Sequence, residues 1–307
     1  MSKDVEVFES HRAHLLALSY RMLGDLGRAE DMVQEAWLRW SGRGDENIAS
    51  PRAYLVTLVT RLCLNELDSA RRKKEESRSD RLPEPIDLEA GGLANLEALE
   101  QVSMAFLVAL QRLTPAERAV LLLHDVFDFE HDEIAPLIGK SGAACRKLLE
   151  RAKGSLAEEK RMLSVSREAH ERLLGAFVRA ATAGDTAALV ELLAEDAVMI
   201  TDGGPEGRSI GGIRNLDVPL RGAARIAAFI AAASRRGTLV LTREIHELNG
   251  RPALVLHLGD KPFAAVTLAV DETRIHRIYF HGDFSRLGHL GGPATTSPSS
   301  NRSSLPQ

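Results

Sequence analysis

The sequence predicts a multidomain chain of two all-α modules, a helical bundle and a helix-turn-helix, followed by an α+β domain. Three observations carry this. Apolar residues recur at helical spacing up to about Arg72, a sharply punctuated helix-turn-helix pattern fills the middle, and strand-like runs join amphipathic helices past residue 167. With 307 residues the chain is long for one compact unit and suits three smaller ones, each able to bury a core.

In the bundle, residues 1–74, Leu15, Leu18 and Met22, then Val33, Trp37 and Trp40, then Leu55, Leu58 and Leu62 form apolar stripes. Gly24-Asp25 and the stretch 41–45 interrupt them, and Pro51 suits a first helical turn. Residues 75–94 turn charged and proline-bearing and read as an extended linker. In the second module, 95–160, Thr114-Pro115-Ala116-Glu117 is a capping box that must start a helix. Gly139 supplies a turn after 133–138, and Ser141 caps a basic helix over 142–154. Helix, short glycine turn and basic helix form the DNA-reading arrangement.

The third unit, 167–290, opens with helices over 168–183 and 186–194, hinged at Gly184-Asp185. Strands are expected over 198–201, 239–247, 253–258, 263–270 and 274–280, with a helix over 223–235, giving helices on a curved antiparallel sheet. Residues 291–307 are too poor in apolar groups to order themselves and read as a tail.

A net charge of −4 argues against a uniformly basic nucleic-acid coat, so any DNA contact must be local. Two local excesses exist: Lys140, Arg146, Lys147, Arg151 and Lys153 against Glu150, and the run Arg71-Arg72-Lys73-Lys74. Basic groups near helix ends also complement the helix dipole, so neither run decides the matter alone. Cys63 and Cys145 stand at apolar helical positions without partner spacing, pointing to a reducing compartment and small core hydrophobes. The histidines do not cluster with acids at ligand spacing, so no metal, cofactor or catalytic set is expected. The N-terminus lacks an apolar signal core and no run approaches a membrane span, so a cytoplasmic protein without a membrane partner is expected.

On the helix over 29–40, Met32, Val33, Ala36, Trp37 and Trp40 share one face while Asp31, Gln34, Glu35 and Arg39 occupy the other. Asn47, Ser50, Arg52, Arg61, Asn65, Arg71 and Arg72 are the polar and cationic groups available to a melted strand; Tyr54 shares a stripe with Leu58 and Leu62 and reads as core. On the basic helix, Cys145, Leu148, Leu149 and Ala152 face inward, leaving Gly142, Ala143, Arg146, Lys147 and Arg151 able to approach a groove. Arg146 is assigned to base readout; Lys140, Lys147 and Arg151 to phosphates.

The pairing of Ala29-Glu30-Asp31-Met32-Val33-Gln34-Glu35-Ala36-Trp37-Leu38-Arg39-Trp40 with the helix-turn-helix around 134–141 resembles regions 2 and 4 of bacterial sigma factors of the extracytoplasmic-function type. The resemblance implies that the first module grips RNA polymerase core and melts promoter DNA while the second reads an upstream box. Asp31, Gln34, Glu35, Leu38 and Arg39 stand at the matching polymerase-binding positions. The third unit resembles the SnoaL-like cone at the C-terminus of one subgroup of these factors. Leu82-Pro83-Glu84-Pro85 is similar to that subgroup's Trp-Leu-Pro-Glu-Pro, with Arg81 for the tryptophan, and Asp202-Gly203-Gly204 is similar to its Asp-Gly-Gly-Gly, with Pro205 for the third glycine. His281-Gly282-Asp283-Phe284 stands where the subgroup has Asn-Pro-Asp-Lys. The implied fold is two sigma modules followed by the cone. The implied control acts in cis without a separate anti-sigma factor, the glycine-rich loop receiving the Pro83-Glu84-Pro85 segment through close backbone approach.

Two alternatives use the same residues differently. One is a helix-turn-helix regulator whose cone senses a small ligand or catalyses a proton transfer, with Asp202, His257, His276, His281 and Asp283 as candidates. The other is a dimeric regulator that never engages polymerase; it leaves the Asp31-Gln34-Glu35 helix unexplained.

Overall fold

The computed structural model describes residues 3–43, 48–74, 81–87, 102–157, 165–203, 209–210, 213–214, 216, 218–236 and 239–290, with backbone alone at 3, 70–74, 209–210, 213–214 and 236. The first module is a three-helix bundle of α1 (Lys3–Leu23), α2 (Leu26–Ser41) and α3 (Pro51–Lys74). Asp25 caps α2 by accepting from the Arg28 amide at 3.0 Å, and Ala29, Val33, Ala36 and Trp40 are its buried stripe. That stripe is the one that 3.6-residue periodicity places on one side.

The second module comprises α4 (Met104–Arg112), α5 (Pro115–Asp125), α6 (His131–Ile134) and α7 (Gly142–Ser155). Both arms of the capping box form at Thr114 and Glu117. Gly139 takes φ +63 in the turn, and Ser141 caps α7 through the Ala144 amide at 3.2 Å. The two modules do not keep separate cores. One cluster of buried residues runs from Leu15, Leu18 and Tyr20 through Leu82 and Ile86 to Leu110, Leu122, Ile134 and Cys145. Arg118, only 5% exposed, ties the modules by donating to the carbonyls of Leu110 and, from α1, Met22.

The third unit contains α8 (Arg167–Ala183), α9 (Thr186–Leu192), β1 (Leu193–Asp202), the short strands β2 (Ser209–Ile210), β3 (Ile213–Arg214) and β4 (Leu220–Arg221), α10 (Ala223–Arg236), β5 (Thr242–Leu248), β6 (Arg251–Leu258), β7 (Lys261–Val270), β8 (Ile275–His281) and a 3₁₀ turn at Phe284–Arg286. Its six-stranded sheet has the order β4-β1-β8-β7-β6-β5. The expected all-antiparallel sheet is corrected at one place: β1 and β8 are parallel, with Met199 opposite Ile278 and Asp202 opposite His281. The first and last long strands lie side by side because α10 and the β5–β8 meander return the chain to β1. Asn249 (φ +53) and Gly250 (φ +67) supply the paired positive values that the tight β5–β6 turn requires.

Both faces of this sheet are covered. Val266, Leu268 and Ile278 pack with Leu173, Phe177, Ile226 and Ile230 of the helices, while the alternate residues Ala269 and Tyr279 join the core shared by the two helical modules. Burial on both sides explains why β7 is apolar nearly throughout where a half-solvated strand would alternate.

Burial makes both thiols inert small hydrophobes, pushing Cys63 up to about 12. His281 is buried, and desolvation, reinforced by the positive charge of Arg286, holds its imidazole down at about 3. A folded value below the unfolded one makes stability fully present above the ordinary 6.5 and progressively lost as pH falls toward 3, by about 1.4 kcal/mol per pH unit at most. Denaturant titrations of the full chain between about pH 7 and pH 5 should therefore show falling stability with a shallower slope in His281→Gln; an equal slope in the variant would refute the assignment.

Candidate functional site

On α2, packing of the apolar stripe against α1 and α3 leaves Asp31, Gln34, Leu38 and Arg39 exposed and Glu35 half-buried on the opposite side. Trp40 anchors the inner face, its indole N–H donating to the Asp4 carbonyl at 2.9 Å. Glu35 and Arg39 pair one turn apart at 2.8 Å. Leu38, 57% exposed, adds an apolar group to this acidic and amide surface. The five candidates are thus brought onto one free face, charged at its edges and apolar at Leu38.

The candidates for melted DNA are more scattered. Ser50 accepts from the Ala53 amide at 3.3 Å, at the start of α3. Arg61 and Asn65 are exposed one turn apart. Arg52 is also exposed, yet its guanidinium donates to the Phe127 carbonyl of the second module at 3.0 Å. Tyr54 lies against Trp40, ring centres 5.9 Å apart, as a core-edge residue. Asn47 and the side chains of Arg71 and Arg72 lie outside the described residues.

On α7, Cys145, Leu149 and Ala152 are buried, while Lys140, Ser141, Ala143, Arg146, Lys147 and Arg151 are exposed and Gly142 is half-exposed. Gly142 has a steric reason: a Cβ there would come within 2.1 Å of the Asp132 carboxylate. Lys153 is held aside by Asp125 at 2.9 Å. The exposed cations therefore form one stripe along the helix, beginning at its capped N-terminus.

A dense set of bonds among the described residues forms where residues 82–86 pass between the first module and the cone. Leu82 donates its amide to Asp202 Oδ2 at 3.0 Å, and its carbonyl accepts from Arg286 at 2.6 Å. The Glu84 amide donates to the Gly24 carbonyl at 2.8 Å, and its own carbonyl accepts from the Tyr20 hydroxyl at 2.5 Å. His289 Nε2 donates to the Pro85 carbonyl at 2.8 Å. Ile86 exchanges bonds with Asn249, donating to its Oδ1 at 3.1 Å and accepting from its amide at 2.9 Å. Proline at 83 and 85 removes two amides that would otherwise need partners.

The Glu84 carboxylate accepts from the Leu26 amide at 2.8 Å, at the open N-terminus of α2. Burial raises its carboxyl above the ordinary range, opposed by that amide, His289 and Arg286. Arg286 also reaches Gly24 O at 3.0 Å and Asp25 at 3.6 Å, and Asn249 Nδ2 donates to the Tyr20 hydroxyl at 2.9 Å. Gly24 permits the approach: it adopts φ +68, and a Cβ there would meet Gln111 at 2.9 Å and Pro83 at 3.5 Å.

Sequence reasoning singled out Leu82, Pro83, Glu84, Pro85 and Asp202 and missed Tyr20, Asn249, Arg286 and His289. It is the Asp202 side chain, not a glycine backbone, that meets Leu82; Gly203 is buried and Gly204 lies outside the described residues. The Asn249-Gly250 pair, a tight-turn signal, was the one legible mark for Asn249; Tyr20, Arg286 and His289 carried none.

The acid–base candidates of the cone are engaged by other groups, although Asp202 stands opposite His281 across β1 and β8. Asp283 caps the 3₁₀ turn through Ser285, His276 pairs with Asp271 at 2.7 Å, and His281 contacts Thr267 at 3.3 Å. His257 instead joins Glu244 and His246 in a cluster that sequence spacing did not reveal, its ligand-type atoms within 4.8 Å of one another. Among the described residues no helix is long and apolar enough to cross a membrane.

Residues 7–73 match the sigma-70 region 2 family and residues 103–156 match sigma-70 region 4. The chain is 37% identical over 237 residues to the ECF RNA polymerase sigma factor SigJ of Mycobacterium tuberculosis strain H37Rv, covering 76% of this chain and 74% of the relative. It is 29% identical over 289 residues to the protein described as "Probable ECF RNA polymerase sigma factor SigI" of strain CDC 1551, covering 89% and 90% respectively. The crystal structure of Mycobacterium tuberculosis SigJ superposes with a TM-score of 0.72 at 29% identity, covering 93% of this chain and 98% of that one. The two family matches, which together span more than one third of the chain, and the relative 37% identical over 76% of it show that the chain belongs to the extracytoplasmic-function family of RNA polymerase sigma factors, proteins that bind polymerase core and promoter DNA.

Proposed function

We propose that this sigma factor is held in a closed state by its own cone, with residues 82–86 as the latch, and that release of the latch frees the two sigma modules for the promoter. The observation that carries this is the joint engagement of that segment by Tyr20 and Gly24 on one side and Asp202, Asn249 and Arg286 on the other. Reading a melted stretch and an upstream duplex box together requires the modules to reach different parts of one DNA. A shared core and the bond from Arg52 to Phe127 oppose that separation. In this reading the cone restrains activity in cis without a separate anti-sigma factor, and Asp202 and Asp283 serve docking and capping.

Within the open state, Asp31, Gln34, Glu35, Leu38 and Arg39 are the polymerase-binding face. Asn47, Ser50, Arg52, Arg61, Asn65, Arg71 and Arg72 serve the melted strand, and Lys140, Ser141, Gly142, Ala143, Arg146, Lys147 and Arg151 the upstream duplex. The functional division follows 1–74, 95–160 and 167–290, with 75–94 linking the first two.

Arg286→Ala should strip bonds from Leu82 and Gly24 together and raise affinity for polymerase core about tenfold, the equivalent of one lost charge-assisted bond; unchanged affinity and promoter output, with the same result for a chain ending near Ser164, would refute restraint in cis. Glu35→Lys combined with Asp31→Lys should abolish co-purification with core while leaving the fold intact by circular dichroism. Arg146→Ala should lower affinity for the cognate upstream box by roughly 5- to 100-fold with little effect on scrambled duplex, whereas Lys147→Ala should weaken both alike; quantitative DNA binding at fixed salt distinguishes them, and equal losses for Arg146→Ala on both duplexes would overturn its role.

A further inference from the structure

On the sheet face turned toward the sigma modules, at the β5 edge, the side chains of Glu244 and His246 project two residues apart from one strand. His257 stands on the neighbouring strand, opposite Thr242 and so on the same face. A register shift between Leu256 and His257, where β6 meets β7, re-aims the chain at this point. His246 Nε2 lies 3.3 Å from Glu244 Oε2, about the edge of a tetrahedron with metal–ligand bonds of roughly 2.0–2.1 Å. Its other nitrogen, Nδ1, lies 3.1 Å from Asp87 Oδ2, a carboxylate that selects the Nδ1–H tautomer and leaves Nε2 free to ligate.

We infer that Glu244, His246 and His257 bind a divalent metal ion of the zinc class, with Asp87 as the outer carboxylate that orients His246. Two imidazoles and one carboxylate form a ligand set suited to such an ion and leave a fourth position for water. His246 and Glu244 keep 17% and 22% of their side-chain surface exposed, which provides an entry path. Asp87 also bridges to Leu248 as the chain leaves the docked segment. The ion therefore tightens the hold of the cone on residues 82–87; this consequence rests on the latch reading, whereas the binding of the ion does not.

The test is titration of the tag-free full chain with Co²⁺, followed by its visible d–d absorption, and then displacement by Zn²⁺. The expected result is saturation at one equivalent, at least tenfold weaker binding in His246→Gln and in Glu244→Gln, and about tenfold weaker binding in Asp87→Asn. Both strand variants alter part-exposed side chains; His257→Gln, at a buried position, is used only if it retains the wild-type circular dichroism spectrum. Absence of saturable binding, or binding equally strong in His246→Gln and Glu244→Gln, overturns the site and leaves the cluster as a hydrogen-bonded contact of His246 with Asp87 and Glu244. Zn²⁺ should raise the thermal midpoint of the wild type and not of His246→Gln. If the ion binds but Asp87→Asn retains full affinity, the coupling fails while the site stands; if no ion binds yet Arg286→Ala still raises polymerase affinity, the site fails while the latch stands.

Discussion

The hydrogen bonding of the extended segment 82–86 is the constraint on which the arrangement of the whole molecule depends. A stretch with no helix or sheet ladder of its own must find partners for each buried amide and carbonyl, and the cost of leaving one unmet is about 1–3 kcal/mol. Here the partners come from two sides, Tyr20 and Gly24 of the first module and Asp202, Asn249, Arg286 and His289 of the cone. Separating these bodies exposes several orphaned groups at once. The segment thus works as a structural layer, although its composition is that of a solvated connection.

The sheet follows the same logic. Its inner face packs on α8 and α10, and its outer face carries Ala269 and Tyr279 into the sigma core and Leu248, Ala253 and Val255 toward Leu287 and Leu290. A cone detached from the sigma modules would present that apolar surface to water. Attachment is therefore favoured by hydrophobic burial and given its register by directional bonds around residues 82–86. The cone also touches the second module directly, since α4 lies on β7, and α3 in turn lies on α5.

The functional groups divide by how they are held. The α2 face and the α7 stripe stand on capped helices and point outward one by one, but the shared core fixes the distance between the modules that carry them. Arg52 differs, because its donor is engaged by Phe127. Of the candidate groups on α3, Arg52 is tied across the boundary while Arg61 and Asn65 stay exposed.

The sequence by itself determined what depends on neighbours a few residues apart. Helix periodicity, the Thr114 capping box, the Ser141 cap, the Gly139 turn and the exposed sides of α2 and α7 are all set within a turn or two of helix, where side-chain spacing is fixed by backbone geometry. The tertiary structure alone decided what depends on distant strands meeting: the parallel pairing of β1 with β8, the fusion of two expected cores into one, Arg286 reaching both Gly24 and Leu82, and His257 coming beside Glu244 and His246. Those partners lie tens to hundreds of residues apart, and no local period encodes which of the many arginines or histidines will arrive. Their positions follow from the closure of the sheet and from the demand that every buried polar group find a partner.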